Sequence, residues 1–272
     1  MPTPATHLAS AQAMLRQGTL SLTARRLVDQ HRGAFLLGHT APDVKTISGQ
    51  NREATHFYSV PRASDHPAYQ VLFDTHPGLA DHGELSPAQT AFVAGYIAHL
   101  LLDERWLADV FEPCFMGDWG SRAERMFLHN VLRTWVDARD QQRLDRSVPH
   151  ALREAEPEDW LPFVDDRMLR RWRDWLAEQL APGNGMETAA VLAPRVGARA
   201  EEMMSVAGSS EQMEHRVFRH ISRPALQAFR DTSQRHCVRL VNWYIARSVA
   251  RRPSRSGTDW SGRLRAREEV RL

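Results

Sequence analysis

Apolar positions along the chain recur mostly at the three- and four-residue spacing of helices, and one run is apolar on nearly every side. That run, Ala91-Phe92-Val93-Ala94-Gly95-Tyr96-Ile97-Ala98-His99-Leu100-Leu101-Leu102-Asp103, reads as a buried central helix. Ser86-Pro87-Ala88-Gln89 before it predicts a capping box, with Ser86 as N-cap, Pro87 first in the helix and Gln89 reaching back. Pro113 marks the far end, which makes about seven turns.

The other elements follow from the same periodicity. Residues 6–17 predict a helix with Leu8, Ala11, Met14 and Leu15 as its stripe and Gly18 as its stop. Residues 21–37 predict a second, on Leu22, Leu27, Val28, His31 and Phe35, closed by Gly38. Residues 55–61 alternate weakly and suggest a short extended piece, and a short helix is expected near residues 68–73. Helices are further expected over residues 121–139, 161–180, 210–221 and 224–250, with a break at Pro182-Gly183-Asn184-Gly185. Val164, Met168, Trp172, Trp175, Leu176 and Leu180 form one face of the 161–180 helix, and Leu226, Phe229, Cys237, Leu240 and Tyr244 line the last. The expected fold is all-α, a multi-helical bundle around one buried helix. Its organisation is a metal-binding helical core over 1–140, further helices over 141–250 packed on the same domain, and a basic, solvated, disordered tail over 251–272.

Composition narrows the class. In 272 residues, 42% hydrophobic and 25% charged content is ordinary for a globular protein, and eight Trp with ten Phe supply a large core. A formal net charge of +2 is no nucleic-acid signature. Two cysteines, Cys114 and Cys237, make no disulfide framework and fit a reducing, cytoplasmic setting. No signal peptide precedes the first helix, and no apolar run is long enough for a transmembrane helix.

Chemistry enters with His99 and Asp103. Four residues apart, they stand on one helical face among apolar neighbours, where buried polar groups need partners. A shared metal ion is one such partner; a His–Asp hydrogen bond inside the core is the alternative. Three more residues join them: His7 in the first turn of the first helix, Asp43 on the Ala41-Pro42-Asp43 turn after the second, and His56 in Thr55-His56-Phe57. Each has a plainer reading, as a surface histidine, a turn or cap residue, and a core histidine respectively. His39 and His31 lie near this set in sequence, His39 close enough to Asp43 to orient it or else to end a helix.

Taken together, Thr6-His7, Pro42-Asp43, His56-Phe57 and His99-x-x-x-Asp103 resemble the zinc-dependent phospholipase C family over roughly residues 5–115. That family includes the catalytic domain of glycosylphosphatidylinositol-specific phospholipase D, and the fungal single-strand nucleases share its fold and a similar trinuclear zinc site. The resemblance implies a phospholipase C/nuclease-like bundle holding one or two zinc ions. It makes His7 a ligand of one ion, makes Asp43, His56 and His99 ligands of a second, and has Asp103 bridge them. It implies hydrolysis of a phosphoester, a small soluble one or a lipid head group, with Asp43 also able to orient or deprotonate the attacking water. The family's third site is altered here: the histidine expected soon after Asp103 is absent from residues 104–109, where Asp109 could substitute as an oxygen ligand, and His129 is followed four residues on by Arg133 rather than Glu. Glu211 and His215 share i,i+4 spacing in the opposite order and read as a solvated face. The family's secreted members also use their terminal amine as a ligand, whereas here Met1-Pro2 precede the first helix. A protein of another class, metal-stabilised and non-catalytic, fits the same residues. The helices after residue 140 either cover the metal residues or build a dimer face from Trp160, Trp172 and Trp175.

Overall fold

The computed structural model describes residues 1–16, 18–62, 66–80, 84–181, 184–185 and 187–250. The tail over 251–272 and the Pro182-Gly183 half of the expected break lie outside them. The principal helices are α1 (Pro4–Arg16), α2 (Leu22–Gln30), α3 (Arg32–Gly38), α4 (Ala68–Thr75), α5 (Pro87–Trp106), α6 (Arg122–Gln141), α7 (Val148–Arg153), α8 (Asp166–Gln179), α9 (Ala200–Gly208) and α10 (Arg223–Ala250). Shorter helical turns connect them, and no strand occurs among the described residues. The all-α expectation holds.

Helix α5 is the centre, with every residue from Thr90 to Glu104 buried. Ser86 caps it, its hydroxyl accepting from the Gln89 N–H at 3.1 Å. The capping box is only half made. The Gln89 side chain reaches instead to the carbonyls of Asp159 and Trp160, 3.3 and 3.1 Å away, and ties the far loop to the helix start. The helix does not run unbroken to Pro113. After Trp106 it passes into a π-helical turn, Leu107–Phe111, and then Glu112–Phe115. Pro113 has no N–H to offer the Asp109 carbonyl. The wider turn, in which the Glu112 N–H bonds to the Leu107 carbonyl, shifts the ladder by one residue so that the chain passes the proline still helical.

Helix α3 crosses α5 on bare backbone. A Cβ on Gly38 would stand 2.0 Å from the Phe92 carbonyl oxygen, and one on Gly95 only 2.3 Å from that of Phe35. The same demand explains why the expected 21–37 helix is two helices. The chain bends at His31 (φ −118°, ψ 43°) so that Gly33 can lie against α7, where a Cβ would meet the Ala151 carbonyl oxygen at 2.1 Å. Apolar periodicity carries through the bend and hides it.

Helix α10 also packs along α5, and the Cys237 thiol donates to the Ala98 carbonyl at 3.5 Å. Burying each large side chain of this interface contributes about 1.5–3 kcal/mol. One continuous core joins residues on both sides of position 140, from Leu8 through Trp106 and Trp172 to Tyr244. Helix α6 begins at an Ser121 cap, whose hydroxyl accepts from the Glu124 N–H at 3.1 Å. Helix α8 starts later than expected, because Asp165 caps it and residues 161–165 are not helical. The expected 210–221 helix is a short turn (Ser210–Gln212) plus a π-helical one (Met213–Val217). Helices α7 and α9 had no sequence counterpart; both are short, and their stripes are too brief to stand out from loop composition. No helix among the described residues is long and apolar enough to cross a membrane.

Candidate metal centre

The five residues singled out in sequence converge. His99 and Asp103 come from α5, His7 from the first turns of α1, Asp43 from the 3-10 turn Ala41–Val44 after α3, and His56 from a single helical turn, Glu53–His56. The extended piece expected around His56 is therefore wrong at its start. Asn51 caps the turn by accepting from the Ala54 N–H at 2.9 Å, and Phe57 closes it at φ 61°. Tyr96, one turn before His99, donates its hydroxyl to the Thr55 carbonyl at 2.5 Å and anchors that turn on α5.

Donor atoms of His7, His99 and Asp103 lie within 4.8 Å of one another, and so do those of Asp43, His56 and His99. The Asp103 carboxylate stands between the two groups. Its Oδ1 is 3.3 Å from His7 Nε2, while its Oδ2 is 3.5 Å from His56 Nε2 and 3.8 Å from His99 Nε2. Asp43 Oδ1 is 3.5 Å from His56 Nε2. The rings of His7 and His99 stack at 3.7 Å. The three histidines and Asp103 are sealed from solvent, and only Asp43, 19% exposed, opens outward.

Hydrogen bonding fixes the state of His99. Its Nδ1 lies 2.8 Å from the His39 backbone carbonyl, which can only accept, so Nδ1 carries the proton and Nε2 presents a lone pair. Burial first, then the stacked His7 ring, lowers the His99 pKa to about 3, which keeps the ring neutral. Burial and then Arg52 lower His56 as well, and Thr55 Oγ1 sits 2.9 Å from its Nδ1. Burial by itself would raise both carboxyls. The histidines around Asp43, and His7, His99 and Arg52 around Asp103, hold both below the usual range.

Neutral His56 and His99 imidazoles and ionised carboxylates thus face one another in a buried cluster, with His7 beside them. His7 Nδ1 and Nε2, His56 Nε2, His99 Nε2 and Asp103 Oδ1 have no hydrogen-bond partner. Orphaned acceptors aimed at a shared point are what a cation between them would satisfy, and imidazole with carboxylate suits zinc.

Sequence reasoning missed two partners of Asp103. Arg52 Nη2 lies 2.6 Å from its Oδ2, and the Tyr58 hydroxyl donates to the same oxygen at 3.1 Å. Arg52 also donates to Tyr58. Arg52 stands four residues before His56, a relationship visible only once that segment is read as helical. His39 supports His99 with its backbone carbonyl as it ends α3, rather than orienting Asp43 with its ring. His31 marks the α2–α3 bend.

Among the described residues the altered third site gathers no set of three donors. His129 Nε2 accepts from the Trp106 indole at 3.0 Å, Asp109 is ion-paired with Arg105, and Glu211 and His215 are exposed. The Met1 amine is buried, its pKa lowered by burial and then by Arg133, and it lies in the electrostatic reach of Asp103 and Asp43. Trp160 and Trp172 are buried, so no dimer face is built from them; Trp172 and Trp175 wall the approach to Asp43.

Comparison with protein-family models, curated proteins and solved structures gave no match.

Proposed function

We propose that the protein is a metal-dependent, zinc-preferring phosphoester hydrolase with a two-ion centre and a phospholipase C-like helical arrangement. The observation that carries this reading is the His99 Nε2 lone pair, buried and unpartnered 3.8 Å from the ionised Asp103 Oδ2. Arg52 and Tyr58 engage Oδ2, but no hydrogen bond engages the His99 lone pair or Asp103 Oδ1, and a cation between them would. The split of the Asp103 carboxylate supports a bridging role, one oxygen toward His7 and the other toward His56 and His99. His7 would hold one ion, Asp43, His56 and His99 the second. Bound zinc would supply Lewis acidity toward a phosphoryl oxygen and a lowered pKa for water. Asp43, alone in reaching solvent, is placed to orient that water or take its proton. The substrate is a small phosphoester or a lipid head group, and the free Cys114 and Cys237 accord with a cytoplasmic setting.

A second reading is favoured by Arg52 and Tyr58. Both already engage Asp103 Oδ2, as in a centre built for stability rather than turnover. The test is metal content by mass spectrometry, beside hydrolysis of a generic phosphodiester, for wild type, His99→Ala and Asp103→Asn. Two zinc equivalents with turnover, both lost in the variants, supports the hydrolase. Zinc without turnover leaves the structural reading. No metal after growth with zinc sinks both.

A further inference from the structure

A cleft opens beside Asp43, and several of the side chains that line it are hydrogen-bond donors. Asp43 lines it together with Arg133, Trp172, Trp175, Gln179 and Arg195. Arg133 comes from α6, the two tryptophans and Gln179 from α8, and Arg195 from the 3-10 turn Pro194–Val196. Three of these side chains carry a buried N–H with no acceptor: Arg133 Nε, Trp172 Nε1 and Gln179 Nε2. Trp172 is 1% exposed and Gln179 7%. Gln179 is held in place from its other end, its Oε1 accepting the Glu187 backbone N–H at 3.2 Å. Arg133 Nη1 donates to Asn130 Oδ1 at 2.9 Å, a neutral acceptor, while burial opposes its charge and the Asp43 and Asp103 carboxylates favour it.

Buried donors without acceptors cost about 1–3 kcal/mol each, more for a charged group, so their collection around one space calls for an acceptor. Every one of the three lacks the same thing, an oxygen lone pair. Asp43 and Glu187 bring negative charge to the cleft, but Asp43 faces His56 and Glu187 is exposed. The space has a volume of about 50 Å³, room for a few water molecules or one tetrahedral oxyanion. The exposed large apolar side chains among the described residues, Leu22, Val60, Met116 and Met204, are not part of its lining, which is poor equipment for a membrane surface.

We propose that this cleft is an oxyanion subsite that takes the phosphoryl group of a small, soluble phosphoester, with Arg133, Gln179 and Trp172 as the inner donors and Arg195 as a cation at the mouth. The proposal deepens the hydrolase reading and depends on it for turnover, but not for anion binding. Arginine and amide donors fork onto phosphoryl oxygens, while the Trp175 ring offers an apolar wall to the organic part of the ester. The substrate would then meet Asp43 and the metal residues with its phosphorus already held.

The test is calorimetric titration of inorganic phosphate into the full chain, zinc-loaded and chelator-treated, for wild type, Arg133→Gln, Gln179→Leu and Arg195→Ala. Zinc content and thermal melting are recorded for each. The expected result is phosphate binding that weakens about tenfold or more in Arg133→Gln and severalfold in the other two, with zinc content unchanged. If Arg133→Gln does not fold, Gln179→Leu and exposed Arg195→Ala carry the decision. Absent binding, or equal binding in all four proteins, overturns the subsite whether or not zinc is present. Binding that depends on Arg133 in a protein without zinc upholds the subsite and removes the hydrolase. Co-sedimentation with phosphatidate-containing vesicles, without binding of inorganic phosphate, overturns the soluble-substrate assignment.

Discussion

The His99 Nδ1–H points at the backbone carbonyl of His39, 2.8 Å away, where the end of α3 packs on α5. That bond sets the ring's tautomer, and with it the lone pair on Nε2 that faces Asp103. It exists because Gly95, one turn earlier on α5, has no side chain. A Cβ there would lie 2.3 Å from the Phe35 carbonyl oxygen and 2.9 Å from the His39 backbone nitrogen. The fold therefore orients a candidate ligand through backbone packing, not through another side chain.

Gly95→Ala tests that coupling. The methyl must push α3 away from α5, which costs about 1–3 kcal/mol. It also carries the His39 carbonyl away from His99. The expected outcome is a lower urea midpoint and a larger loss in zinc affinity than an equally destabilising core change, such as Leu176→Ala, produces. Equal zinc affinity in the two variants would separate the glycine contact from the site.

Arg52→Met should behave differently with and without metal. In the metal-free chain Arg52 is the one arginine within ion-pairing distance of buried Asp103 among the described residues, and removing it leaves a buried carboxylate without its permanent positive charge. Breaking such a pair costs about 3–5 kcal/mol. Bound zinc compensates that charge, so zinc should restore most of the loss. Thermal melts with zinc and with chelator check this; a penalty that zinc does not reduce would deny the cation its place beside Asp103.

Asp137 gives a prediction in pH. It is 2% exposed on α6, the Thr188 hydroxyl donates to its Oδ2 at 2.8 Å, and burial raises its pKa to about 6. The folded protein then holds its proton where the unfolded chain has released it. The associated stability is fully present below the usual aspartate value, falls as pH rises through about 6, and is gone above. Asp137→Asn removes the titration and keeps an oxygen for Thr188. Relative to wild type it should gain on the order of 2 kcal/mol between pH 4 and pH 8. A pH-independent difference in urea midpoints would show that Asp137 ionises in the fold as it does in the open chain.

By itself the sequence determined the all-α architecture, the buried central helix, the Ser86 and Pro87 start and the identity of the five converging residues. Each is a local or periodic property: an apolar run, a cap, an i,i+4 pair. The resemblance supplied their grouping, because spacing alone cannot bring residues 7, 43, 56 and 99 together. What the tertiary structure decided lies where backbone contacts or distant partners override local pattern. The 21–37 segment bends so that Gly33 and Gly38 can reach other backbones. The 55–61 segment begins as a helical turn because Asn51 caps it and Tyr96 holds it. Arg52 reaches Asp103, and α6, α8 and the Pro194–Val196 turn bring Arg133, Trp172, Gln179 and Arg195 to Asp43. Those meetings join residues up to some 150 positions apart, and only the packing of helices against α5 and its neighbours makes them.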